Sequence, residues 1–296
     1  MPARTTRSPL YAAGVTAILA AALAGCSASG SGTSATGSGA SPAASASPLD
    51  AVQLAAKTTG GASSFTGTMS VQATAKPGAS SSGDVSLTAS MAEQLRPSLL
   101  AEVQIGTLSA AGQSLPGGLS EVATPSNLYL KWSLLTQQLH TTKPWLAIPV
   151  SALSKSSGIN LSQLFSQATS SSPLNESQLL TGATGVRKVG TGTVDGVPVT
   201  EYTGTVPLAK GMQYLSGTAK AAMQQQITAA GLKTATFTVW VDGRQVMRKA
   251  VITETGTALT EVITVSISSI NQPVNIAVPA ADQTTALPAG ALGGAG

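Results

Sequence analysis

Residues 65–74, FTGTMSVQAT, alternate Phe65, Gly67, Met69, Val71 and Ala73 with Thr66, Thr68, Ser70, Gln72 and Thr74. A period of two puts the first set on one face of an extended chain, so the stretch predicts a strand with one buried face rather than a helix. The same period returns downstream in Val85, Leu87, Ala89 and Met91, and again in Ala101, Val103 and Ile105 opposite Glu102 and Gln104. These runs predict an antiparallel meander. Leu128, Leu130 and Trp132 fit a further strand, as does the region from Trp145 to Val150. Asp195-Gly196 and Asp242-Gly243 read as hairpin turns, because glycine tolerates the positive φ that such turns require. A last long strand alternates Leu259, Glu261, Ile263, Val265 and Ile267 with Thr260, Val262, Thr264, Ser266 and Ser268.

Upstream of residue 65 the period is that of a helix. Ser47 is placed to cap, Pro48 fits the first turn and Asp50 complements the dipole, while Leu49, Val52, Ala55 and Ala56 share a face that ends at Gly60-Gly61. A second helix is predicted over Asn160 to Ala168, with Leu161, Leu164, Phe165 and Ala168 on one side, and Ser172-Pro173 opens a turn ending in Leu179-Leu180. A third places Leu215, Ala219, Ala222, Met223, Ile227 and Ala230 in one stripe and stops at Gly231. Long antiparallel runs with a few helices describe a single α+β domain over residues 48–285, and this many strands exceed a small flat sheet, so the sheet is expected to curl.

The first 25 residues read as a secretory signal, with Arg4 and Arg7 ahead of an apolar run from Leu10 to Leu23 that is too short to span a bilayer. The run ends in Leu23-Ala24-Gly25-Cys26, which resembles the bacterial lipobox. Cys26 is then the site of lipidation, and acylation there would anchor the protein stably to the outer face of the cell membrane. Residues 26–47 form a Ser/Ala/Gly tether without charge, reaching about 25 Å on average. Residues 286–296 are a second low-complexity segment, expected to be a disordered tail.

The 296 residues carry 16 Lys and Arg against 12 Asp and Glu, with 9% charged and 42% hydrophobic residues. That excludes both a highly charged disordered chain and a nucleic-acid binder with a dense basic face. The pI near 9.3 overstates the basicity, because removal of Arg4 and Arg7 leaves a net charge of +2. The single cysteine excludes an internal disulfide framework and a multi-cysteine metal site. Catalytic signatures are missing: Gly112-Gln113-Ser114-Leu115-Pro116 lacks the second glycine of a nucleophile elbow, and neither SxxK nor HExxH occurs. Gly190-Thr191-Gly192-Thr193-Val194-Asp195-Gly196 has Asp where a dinucleotide fingerprint needs its third glycine, and it leads into a hairpin. The single histidine, His140, has no acid near it and reads as a surface residue. Trp132, Trp145 and Trp240 read as packing residues, and the carboxylates show no spacing of a glycosidase pair. The expectation is a monomeric protein that is not an enzyme and holds no metal or cofactor.

The order of these elements behind the lipobox resembles the actinobacterial LppX/LprAFG lipoproteins, which have a LolA/LolB-like fold. The resemblance runs through the N-terminal helix, Tyr129-Leu130-Lys131 followed by Pro144-Trp145, KVGTGTVDGVPVTEYTGTV from Lys188 to Val206, TVWVDGRQVMRK from Thr238 to Lys249, and INQPVNIAVP from Ile270 to Pro279. It implies a strongly curved antiparallel sheet, a half barrel, wrapped around helices, with an apolar cavity that carries a lipid or lipoglycan. The cavity candidates are Met69, Val71, Leu87, Met91, Val103, Ile105, Phe165 and Met223, each of which would serve equally as ordinary core. The alternative is a surface lipoprotein of structural, regulatory or sensory type that carries no lipid and binds an envelope protein or cell-wall partner.

Overall fold

A computed structural model describes residues 47–77, 83–114, 118–149, 177–215 and 217–286. The expected signal, tether and Cys26, and the expected helix carrying Phe165, lie outside the described residues. Helix α1, Pro48–Gly60, starts as expected: the Ser47 hydroxyl accepts from the Asp50 N–H at 3.2 Å and the Asp50 carboxylate accepts from the Ser47 N–H at 3.3 Å, a capping box. It buries Ala51, Val52, Ala55, Ala56 and Thr59.

The strands that follow are β1 Ser64–Ala75, β2 Val85–Gln94, β3 Leu100–Ala110, β4 Gln113–Ser114, β5 Leu119–Ala123, β6 Asn127–Lys131 and β7 Trp145–Pro149, with a short helix α2, Ser133–Gln138, before β7. A 3₁₀ turn, Ser177–Gly182, leads to β8 Thr184–Val194 and β9 Val197–Pro207. After a one-turn helix α3, Leu208–Gly211, comes α4, Gly217–Ala230, and then β10 Thr234–Asp242, β11 Met247–Thr255, β12 Leu259–Ile270 and β13 Thr284–Ala286.

All belong to one sheet in the order β13-β7-β6-β5-β3-β2-β1-β12-β11-β10-β9-β8, with β4 beside β3. Every pairing is antiparallel except β13 with β7. The sheet is curved and unclosed, the α+β architecture that the alternation predicts. Its two halves meet where β1 pairs with β12, joining Phe65 to Ile270. A bulge at Thr66/Gly67 bends that seam. A Cβ at Gly67 would collide with the carbonyl oxygen of Ser266, so this close approach requires glycine.

Several details differ from the sequence reading. β5, α3 and β13 lack strong periodic signals because they are short, and β13 reaches Ala286, the first residue of the expected tail. Trp132 lies one residue beyond β6, and Leu215 precedes α4 although it is buried. The segment Asn271 to Pro279 continues past β12 without strand pairing. Asp195 and Gly196 both take positive φ, as expected of the β8–β9 hairpin. At the β10–β11 turn the positive φ falls on Gln245 instead of Gly243.

That second turn is held by a side chain. Asp242 Oδ1 accepts from the N–H groups of Arg244 at 2.8 Å and Val246 at 3.0 Å, and Asp242 Oδ2 accepts from Arg248 Nε at 2.9 Å. Arg248 Nη1 also donates to the Ser268 carbonyl of β12 at 3.4 Å. Burial alone would raise the Asp242 carboxyl, but the Val246 N–H, the Arg248 guanidinium and the Arg244 N–H together hold it below its ordinary 3.8. Both side chains are buried. Replacing Arg248→Met is expected to lower unfolding stability by about 3 kcal/mol in denaturant titration, because it strands the Asp242 charge in the interior.

Candidate functional site: the inner face of the sheet

Register places the predicted lining on one face. Directly opposite neighbours run Leu146, Leu130, Glu121, Val103, Met91, Gly67 and Ile267 across seven strands. Val71 faces Leu87 and Ile263, Met69 faces Ala89 and Val265, and Ile105 faces Ala89 and Leu119. Val71, Leu87, Met91, Val103 and Ile105 are buried together in one apolar cluster with Phe65, Val265 and Ile267, and Met69 packs against it partly buried. The structure therefore brings six of the eight cavity candidates together. Met223 lies elsewhere, against Leu179 and Leu215, and Phe165 is outside the described residues.

Two apolar voids lie on this face, along β11. The first encloses about 30 Å³ among Leu179, Leu180, Val206, Leu208, Met223, Ala235, Phe237, Ile252, Glu254 and Ile263. The second, also about 30 Å³, lies among Thr59, Ser177, Leu180, Met247, Lys249, Ala250, Ile252, Val265 and Ile267. Each has room for about one water molecule. Leu180 and Ile252 border both, so these two side chains form the wall between them. Of the predicted residues within the described part, Met223 lines the first void, and the six strand residues pack as core beside the two voids.

Among the described residues, the 3₁₀ turn covers these voids. Gln53 Nε2 of α1 donates to the Thr181 carbonyl at 2.9 Å, and the Ser177 hydroxyl donates to the Ala56 carbonyl at 3.2 Å, so α1 clamps the turn onto the sheet. The far end of the first void is closed by α4, whose Schellman end puts the Leu232 N–H on the Ile227 carbonyl at 2.9 Å with Gly231 at φ +65. A larger cleft of about 590 Å³ lies outside, between α1 and the turn, with Leu54 and Tyr214 as apolar walls among Asp50, Gln53, Lys57, Gln178 and Thr181.

Sequence reading misses the acids of this face. Register places Glu93, Glu121, Glu254 and Glu261, four of the seven glutamates in the chain, on the inner side. Glu93, Glu121 and Glu254 are buried. Glu254 and Glu261 lie directly opposite on β11 and β12, and Glu254 lines the first void. Burial raises Glu121 from 4.5 to about 8. Burial and then the charge of Glu261 raise Glu254 to about 7, and burial raises Glu261 as well. Among the described residues no hydrogen-bond donor reaches Glu121 or Glu254. A signal for the pair does exist: Thr255 pairs with Thr260 around the Gly256 turn, which makes Glu254 and Glu261 symmetric about a hairpin.

His140 is exposed in a loop, as expected. Lys131 lies over the Trp145 ring at 5.9 Å and Lys249 over Trp240 at 5.1 Å, so both rings have cationic partners from the protein itself. Among the described residues no group of three metal-ligating side chains occurs, and no helix is long and apolar enough to cross a membrane.

No protein-family model matches the chain. It is 32% identical over 111 residues to an uncharacterized 31.2 kDa protein from the rplA-rplJ intergenic region of Streptomyces griseus, and the match spans 36% of each protein. Among solved structures it is similar to the Mycobacterium tuberculosis lipoprotein LppX, at 20% identity and TM-score 0.45, covering 78% of this chain and 98% of that one. It is also similar to LprF from Mycobacterium bovis, at 13% identity and TM-score 0.44, covering 79% of this chain and 97% of that one. Both likenesses concern the fold alone.

The raised carboxyls predict an inverted pH dependence of stability. A carboxyl raised on folding stabilises fully below its unfolded value near 4.5, and that contribution is lost as pH climbs through the folded values of about 7 and about 8. Asp242, lowered on folding, is ionised in both states across this window and adds no slope. Stability in denaturant titration is expected to fall by on the order of a few kcal/mol between about pH 5 and about pH 9. Glu121→Gln should flatten the slope and stabilise the alkaline end; an unchanged profile would contradict the assignment.

Proposed function

We propose that this chain is a lipoprotein of the cell envelope, anchored to the outer face of the membrane through acylated Cys26, that binds a lipid or lipoglycan between the inner face of its sheet and the covering 3₁₀ turn, and passes it on. The observation that supports this reading is the pair of apolar voids along β11 that share Leu180 and Ile252 in their linings. An acyl chain in water exposes surface worth about 0.8 kcal/mol per CH₂, so a carrier needs an internal slot rather than a surface patch. The voids are narrow, so entry requires the turn to lift and Leu180 to leave the wall. A 3₁₀ turn, with poor hydrogen-bond geometry, yields more easily than a helix. The apolar cluster of Met69, Val71, Leu87, Met91, Val103 and Ile105 would then extend the slot beyond Ile267.

A second reading has its own observation. Two voids of about 30 Å³ are also what a sheet filled by its own side chains leaves behind, and such a protein would serve as a structural, regulatory or sensory lipoprotein with a protein or cell-wall partner.

Native mass spectrometry of the mature chain bearing Cys26→Ser, secreted from a related host and purified without detergent, separates the two. The expected result is a stoichiometric lipid in the wild-type interior, reduced about tenfold by Ile252→Trp, which fills both voids, with the circular dichroism retained. Protein that is folded and repeatedly empty would reject lipid carriage in favour of the second reading.

A further inference from the structure

The Glu254–Glu261 pair sits at one end of the proposed slot, and its position identifies a class of ligand. The two residues face each other one pair in from the Thr255–Thr260 closure of the β11–β12 hairpin, hence at the rim of the sheet. Glu254 is 6% exposed and lines the first void, while Glu261 is half-buried. From Glu254 the strand leads inward past Ile252 and Ala250 to Met247, the residues that border the two voids in turn. The seven residue steps from Glu254 to Met247 span about 23 Å. The arrangement is a linear apolar track with two carboxyls at its mouth.

Among the described residues, no counter-charge is paired with these carboxyls. Across β10 and β1 the opposite neighbours are Ala235 and Ala73. The nearby ammonium of Lys76 is directed to the Gly256 carbonyl, at 2.7 Å. From α4 the packing residues are Met223, Ile227 and Ala230. Two neighbouring acids in an apolar setting repel when both are ionised, and a cation that donates several hydrogen bonds stabilises the doubly ionised pair. A primary ammonium has that chemistry.

Resting on the lipid-binding reading above, we propose that Glu254 and Glu261 are a head-group site for an amphiphile bearing a protonated primary amine, whose tail follows β11 past Ile252. The ammonium bridges the two carboxylates at the rim, and the chain takes the place of the Leu180 side chain in the wall between the voids.

The test compares three probes of equal chain length, decylammonium, decanol and decanoate, by isothermal titration on the mature chain bearing Cys26→Ser, below their aggregation concentrations. The amine is expected to bind about tenfold more tightly than the alcohol, and the carboxylate more weakly than either. Glu254→Gln and Glu261→Gln should each reduce the amine's preference, and the double substitution should erase it while the alcohol's affinity stays constant. Gln keeps the side-chain volume, and circular dichroism confirms the fold. Equal affinities for the three heads, or a double variant that retains the amine's preference, would overturn the head-group site and leave the lipid slot standing. Loss of alcohol binding in step with amine binding would reduce the pair to a packing role and likewise overturn the site. Failure of all three probes to bind folded wild-type protein would reject the slot itself, and the site with it.

Discussion

The constraint on which the rest of the structure depends is the covering of one apolar face of a wide, unclosed sheet. Among the described residues, thirteen strands offer more inner surface than α1, α4 and the Ser177–Gly182 turn cover if the sheet is flat. Curvature brings the inner side chains toward each other, and the bulges at Thr66/Gly67, Thr88/Ala89 and Trp240/Val241 supply part of it. The outer face needs no cover because it is written in hydroxyls: Thr88 meets Thr107 at 2.7 Å and Ser86 meets Ser109 at 2.8 Å. The low aromatic content, 3%, follows from the same design. With few large rings available, the described interior is filled largely by Val, Leu, Ile and Ala, and small voids remain where the 3₁₀ turn meets the sheet.

Strand periodicity made the sheet legible in advance because it reports which face is buried without reference to partners. Phe65 to Ala73, Val85 to Met91 and Leu259 to Ile267 are all placed correctly for that reason, and the alternation that marks Met69, Val71, Leu87, Met91, Val103 and Ile105 also marks a shared face. What alternation leaves open is where along the face the packing fails to close. That depends on the register between strands and on which element lies above, and so the voids fall at Ile252, Ala250 and Ile263 rather than among the six residues singled out. The short elements escaped for a different cause. Five residues in β5 and three in β13 are too few to show a period, and pairing with β3 and β7 makes them strands.

The buried acids were missed because they break the pattern that revealed everything else. In the alternation of β12, Glu261 stands on the inner side with Ile263, Val265 and Ile267, where a polar residue reads as the frayed end of a strand. Its partner, seven residues earlier, lies across a turn marked by Gly256. Only the pairing of Thr255 with Thr260 makes the two glutamates neighbours. Register is the information that turns scattered carboxylates into a pair, and a single strand's periodicity does not contain it.

The strands β10, β11 and β12 carry buried charge at both ends, and the contrast separates structural use from functional use. At the β10–β11 turn, Asp242 receives two backbone N–H groups and the Arg248 guanidinium, which in turn reaches Ser268 on β12. Both oxygens of the Asp242 carboxylate are engaged within the fold, and the cluster acts as a clasp between the strands. At the opposite end, Glu254 and Glu261 face each other over an apolar void with alanines on either side. A pair that served only to hold the strands would be better served by a valine and an isoleucine, since unpaired buried carboxyls cost stability at neutral pH. In the proposed head-group site the cost is recovered when a donor arrives from outside, and the track running from the rim toward Met247 is what suits a donor attached to a tail.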